Sequence, residues 1–110
     1  MNLNELREMF GIKIYLEYEM YKKEMLKQNP EEIFDKAYEI DCYVTMYEYL
    51  LEMSQKLKKE EIESILFFPR FLAFLYGEWL GRSEVAQEEM YAYIYEEIQK
   101  QTQEFIQEVA

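Results

Sequence analysis

The spacing of apolar positions divides the chain into helical segments. From about residue 4 to residue 27, Leu6, Phe10, Ile14, Tyr18, Tyr21 and Met25 recur at three- and four-residue steps, the period of one helix face. Gly11 within this run costs about 1 kcal/mol relative to alanine and leaves the pattern intact. Asn29-Pro30-Glu31-Glu32 then reads as a helix start. The Asn can accept an amide hydrogen, the Pro sits at the first helical position where its missing N–H does no harm, and Glu32 can reach back to the cap. Ile33, Ala37, Ile40, Val44, Tyr47 and Leu51 carry the apolar face of this second helix, and their spacing suits packing on another helix. The β-branched and aromatic cluster Cys42-Tyr43-Val44-Thr45 leaves open one helix with a kink or two helices end to end; the single helix is favoured.

Residues 65–80 are the most apolar stretch and hold the only Trp and four of the seven Phe. Leu72, Leu75 and Trp79 fall on one face while Phe71, Phe74 and Leu80 cover much of the rest, and a helix apolar nearly all round is buried. This segment is therefore the expected centre of the core. Pro69 and Arg70 interrupt it, leaving it well short of the roughly 20 apolar residues a membrane span needs. Before Pro69, Ile62, Ile65 and Leu66 make a brief helix, reached from the second through a short basic connection at Lys56–Lys59. After it, Gly81 supplies a stop and Ser83 a cap for a last helix, whose face is Tyr91, Ile94, Ile98, Phe105 and Val109. Gln99 to Gln103 thins that pattern, so the last two turns fray or pack on a second copy. The expected fold is all-α: a single compact bundle of four to five helices around a buried aromatic helix, forming one domain over residues 1–110.

A hydrophobic content of 50% with 17% aromatic residues opposes disorder despite a formal net charge of −11. That charge repels nucleic acid phosphates and anionic membrane surfaces, so the expected partner is a basic protein surface, with no direct nucleic acid or membrane binding. The lone Cys42 cannot form an internal disulfide, and no basic, then apolar, leader opens the chain, so the expected setting is the cytoplasm.

The charge is uneven. Residues 1–29 carry five acids and five bases, whereas residues 31–52 and 84–110 each carry seven acids and one base. Glu31, Asp35 and Glu39 stack at i, i+4 and i+8, and Glu48 with Glu52 repeats the step. Along the last helix Glu84, Glu88, Glu89, Glu96, Glu97, Glu104 and Glu108 are relieved by Lys100 alone. Two readings stay open. The acids are solvated faces that keep a hydrophobic chain dissolved, or they are rows about 6 Å apart that imitate phosphates and fill a Lys/Arg groove. The candidate partner-binding residues are Glu31, Asp35, Glu39, Glu48, Glu52, Glu88, Glu89, Glu96, Glu97 and Tyr93. Tyr93 enters because Tyr91, Tyr93 and Tyr95 alternate and cannot all face one core; a core role for it is equally open.

Catalytic parts are missing. Without His there is no His general base, Ser-His triad or Glu-x-x-His metal pair. No Gly-rich phosphate loop or calcium-loop spacing occurs. Paired acids such as Glu48 and Glu52 could do acid-base work or hold a hard cation, but their spacing is that of a surface, and Cys42 reads as an inert buried thiol. The expectation is a non-enzyme without metal or cofactor.

Pro30-Glu31-Glu32-Ile33, Lys36-Ala37-Tyr38-Glu39 and Leu75-Tyr76-Gly77-Glu78-Trp79-Leu80 together resemble an uncharacterised family of short acidic helical proteins from mobile elements of gut Gram-positive bacteria. The likeness covers about residues 5–95, with Ile65-Leu66 in place of that family's Leu-Leu pair and Arg70 where an apolar residue is expected. The resemblance implies a helical fold and no known activity. Its mobile-element setting implies a counter-defence protein, such as an anti-CRISPR or anti-restriction inhibitor of a nucleic-acid-binding nuclease. The alternative is a structural or dimerisation module using the Tyr91–Val109 helix as a seam.

Overall fold

Two asparagines start the first two helices in the same way. The Oδ1 atom of Asn2 accepts the Glu5 N–H at 2.9 Å while its Nδ2 donates to the Glu5 carboxylate at 2.6 Å. Asn29 repeats both bonds with Glu32 at the same distances, satisfying amides that a bare helix end leaves unpaired. The computed structural model describes residues 1–82 and 89–109. Its helices are α1 (Leu3–Leu26), α2 (Pro30–Asp35), α3 (Ala37–Met53), α4 (Lys59–Leu66), α5 (Phe71–Leu80) and α6 (Met90–Val109). The expected cap at Ser83 lies outside the described residues.

The architecture is all-helical, with six helices among the described residues rather than four or five. The extra helix comes from a break at Lys36, whose φ of −102° and ψ of 19° depart from helical values, whereas residues 42–45 run unbroken within α3. Neither Gly nor Pro marks Lys36. The break separates α2, which buries no residue, from α3, which buries Cys42, Tyr43, Met46, Leu50 and Met53. That buried face is not the expected one. Ala37 and Leu51 are exposed, and Ile40, Val44 and Tyr47 are half-buried. α3 is apolar on most sides and packs on α1, α5 and α6, so the neighbours choose the face.

α1 is the strut of the fold. It lies against α3, α4 and α5, burying Leu6, Phe10, Ile14 and Met25 along the expected stripe. α5 buries Phe71, Leu72, Leu75 and Trp79 but leaves Ala73, Gly77, Glu78 and Leu80 exposed. It is a wall of the core rather than its axis. α6 packs on α4 and α3, and the Gln99–Gln103 stretch is part of that seam. Thr102 Oγ1 lies 3.2 Å from Ser64 Oγ, both buried, and Gln99 donates to the buried carboxylate of Glu61. The other Glu61 oxygen accepts the Lys58 N–H at 2.7 Å and so caps α4.

Charged groups of α1 cap two neighbouring helices. Glu17 Oε1 accepts the Leu72 N–H at 2.8 Å, and its other oxygen pairs with Lys13. At the far end, Arg7 donates to the carbonyls of Ser54 and Gln55, both at 3.1 Å, where α3 ends. An anion thus meets a helix N-terminus and a cation a C-terminus, the signs the helix dipole favours. Glu17 is needed because Pro69 forces a turn in which Arg70, the cap residue of α5, takes φ 52° and makes no side-chain cap.

A hydrogen bond to a charged group contributes about 1.5–3 kcal/mol. Urea unfolding of Glu17→Ala is expected to show a loss of that size, with Glu17→Gln losing less because an acceptor remains. Arg70→Gly is expected to gain up to about 1 kcal/mol by relieving the left-handed backbone.

Candidate protein-binding surface

α2 stands out because it is capped yet contributes nothing to the core. Phe34 on this helix is 79% exposed, the most of any large hydrophobic side chain in the described residues. Glu31, Glu32 and Asp35 around it are exposed too. The next turn begins with Tyr38, exposed but tethered, its hydroxyl accepting the Trp79 Nε1–H at 2.9 Å. Two exposed aromatic residues, Phe34 and Tyr38, thus lie at the α2–α3 corner, in a segment that also carries the exposed Glu31, Glu32 and Asp35. Composition-level reading missed Phe34, which lies off the Ile33–Ala37 stripe; the signal was an aromatic residue between the acids Glu32 and Asp35.

The acids named from sequence divide into three groups. Glu31, Asp35, Glu48, Glu52, Glu89 and Glu96 are exposed and have no ion-pair partner among the described residues, whose ion pairs join Lys13 to Glu17, Lys27 to Glu24 and Lys100 to Glu97. Glu39 and Glu97 are turned inward. Glu39 is half-buried and accepts from the Tyr21 hydroxyl at 2.9 Å, while Glu97 is buried and takes Lys100 at 3.3 Å. Glu88, with Glu84, lies outside the described residues. The expected i, i+4, i+8 row is consequently cut at Lys36, leaving two exposed pairs, Glu31 with Asp35 and Glu48 with Glu52.

Tyr93 is in the core rather than on the surface. It is 3% exposed, packs on Trp79 with ring centroids 5.4 Å apart, and lies under the Arg82 guanidinium at 4.8 Å. Tyr95 is the exposed member of the alternating trio. Of the α6 face expected as a seam, Ile94 and Ile98 are buried and Phe105 stacks on Phe67, while Tyr91 is half-buried and Val109 is exposed.

Tyrosines hold α1 against α3. Tyr18 stacks on Tyr47 at 4.4 Å and Tyr21 on Tyr43 at 3.7 Å, both nearly parallel. Burial, then the Glu39 bond and charge, raises the Tyr21 phenol well above its ordinary value, and burial followed by the Glu39 charge pushes Tyr43 up to about 12. Burial likewise raises the Cys42 thiol, partly offset by Tyr38, so this cysteine is not activated. A cavity of about 230 Å³ between α1 and α5 brings Glu17, Glu24 and Arg70 together over Tyr21, Tyr43 and Leu72. Both Glu17 oxygens are already engaged there.

The class these features define is an all-helical, acidic chain whose α2–α3 corner exposes Phe34 and Tyr38 alongside acids. Among the described residues no helix is long and apolar enough to cross a membrane. No protein-family model, curated protein or solved structure matches the chain.

The raised tyrosines set an alkaline limit. Folding favours their neutral form, so their contribution is complete below about pH 10, the ordinary phenol value, and is lost as pH rises through about 12 for Tyr43. Urea midpoints measured up the alkaline range should hold steady and then fall. Glu39→Gln should lower the pH at which Tyr21 ionises in the folded protein, read from tyrosinate absorbance.

Proposed function

We propose that the protein is a small acidic binding protein that covers a basic surface of another protein, touching it with α2 and the start of α3. The observation that carries this reading is Phe34, 79% exposed on a six-residue helix that buries no residue and also carries the exposed acids Glu31, Glu32 and Asp35. A solvated acidic face accounts for Glu31, Glu32 and Asp35 but gives no reason for a phenylalanine among them. An aromatic anchor with a polar rim is how interfaces concentrate binding energy. The unpaired acids steer approach toward positive charge and reject negative surfaces.

The partner class proposed is a nucleic-acid-binding protein. The exposed pairs Glu31–Asp35 and Glu48–Glu52 are i, i+4 neighbours whose Cβ atoms lie about 6 Å apart, an arrangement that suits Lys and Arg side chains set out for phosphates. Assignment of that partner to a nuclease, with the protein as an anti-CRISPR or anti-restriction inhibitor, rests on the mobile-element resemblance alone. The mechanism is occupation: the inhibitor holds the cationic groove and needs no catalytic group, metal or cofactor.

Tagged protein incubated with nuclease-treated host lysate is expected to capture a basic, nucleic-acid-binding protein that is released by high salt and displaced by added DNA or guide RNA. Phe34→Ala should weaken capture by about 30-fold, the cost of a hot-spot residue near 2 kcal/mol, and Glu31→Lys with Asp35→Lys should abolish it while the helical spectrum stays unchanged. Recovery of the bait alone would reject the reading. Capture indifferent to all three substitutions would move the contact off α2.

A further inference from the structure

α1 carries a second apolar stripe that the fold does not cover. Met9, Ile12, Leu16 and Met20 recur at steps of three and four residues and are 40%, 58%, 53% and 61% exposed. They lie on the side of the helix away from Leu6, Phe10, Ile14 and Met25, which face the core. Exposed apolar rows of this kind mark contact surfaces. Methionine at both ends suits a surface that must adapt to a partner, because the unbranched thioether side chain repacks easily.

The order of charge along this stripe identifies the occupant. Read along one face, it runs Glu5, Met9, Ile12, Leu16, Met20, Lys23, with an acid at the start, a base at the end, and both exposed. Turned end for end about position 14, the two ends and the centre of the face match. Ile12 comes opposite Leu16 and Glu5 opposite Lys23, at two and nine residues from the centre, while Met9 and Met20 lie five and six residues from it and meet one residue out of register. Set parallel to itself, the same face opposes Glu5 to Glu5 and Lys23 to Lys23, which is repulsive. We propose that α1 is a dimerisation surface on which a second copy of this chain packs its own α1 in antiparallel orientation about a two-fold axis.

The charge of the rest of the molecule narrows the approach. Residues 1–29 have as many acids as bases, so the whole net charge of −11 belongs to the remainder of the chain. Two copies meeting through the acidic α2–α3 side repel one another, whereas two copies meeting through α1 bring neutral, complementary helices together. The 24 residues of α1 form a rod about 36 Å long, enough for an apolar centre with an ion pair at each end. The contact is isologous, so each pair occurs twice. It uses different residues from the α2 surface, and the two proposals stand or fall separately.

Sedimentation velocity of the purified full chain over a concentration series at low salt tests the contact. A reversible dimer is expected. Ile12→Glu with Leu16→Glu should weaken it by about 100-fold or more, because a two-fold contact carries every change twice. Both positions are exposed, so the urea midpoint of the monomer should be little altered. Glu5→Lys alone and Lys23→Glu alone should each weaken the dimer by about 3- to 10-fold, and the two combined in one chain should restore it. Monomer at every concentration overturns the proposal. A dimer indifferent to Ile12→Glu with Leu16→Glu places the seam elsewhere and also overturns it, and failure of the charge exchange to rescue rejects the antiparallel order.

Discussion

The bond from the Leu72 amide to the Glu17 carboxylate, 55 residues apart in the chain, fixes how the most apolar helix meets the rest of the fold. A proline-enforced turn leaves α5 without a cap of its own, and its positive end would otherwise point at neighbouring side chains. Glu17 removes that problem from another helix, and Lys13 holds the carboxylate in place. The other end of α5 is also tied, through the Trp79 indole to Tyr38. The helix thus hangs between α1 at its start and α3 at its end. Arg7 completes the arrangement by taking the last carbonyls of α3, so α1 supplies both the anion and the cation that two neighbours need.

Much of this was legible in the sequence. The α1 stripe, the Asn29 cap, the Pro69 interruption and the all-helical class follow from period and local chemistry, and all are found. Three features were not readable, two of them because a period identifies a helix face only when the remaining faces are polar. α3 has apolar residues on most sides, so spacing pointed to Ile40, Val44 and Leu51 while packing against three helices selected Cys42, Met46 and Leu50. α1 has two apolar stripes, and only the one with partners in this chain was read. The Lys36 break has no breaker residue, so nothing local announces it.

The candidate surface was half legible. Counting charge located the acids of α2 and α3, because a run of seven acids to one base does not depend on tertiary structure. Which acids face outward does depend on it. Glu39 and Glu97 have the same spacing as their exposed neighbours, yet one is taken by Tyr21 and the other is buried beside Gly77 and Glu78 of α5. Tyr93 was misplaced for a related reason. Alternation shows that one of three tyrosines must leave the core, and only the positions of Trp79 and Arg82 decide that it is Tyr95.

The division of charge between α1 and the rest bears on both proposals at once. An acidic chain with exposed apolar groups has two hazards, indiscriminate self-association and indiscriminate capture of other proteins. Repulsion between like faces suppresses the first wherever the net charge resides, and it acts over about 8 Å at physiological salt. That leaves the neutral α1 as the place where two copies can approach, and there the order of Glu5 and Lys23 permits one orientation. Phe34 sits on the opposite kind of surface, where unpaired acids turn away a second copy but admit a cationic partner. On the two proposals, the same excess of carboxylate would sort different partners to two of the exposed apolar surfaces: a copy of itself to α1 and a basic surface to α2.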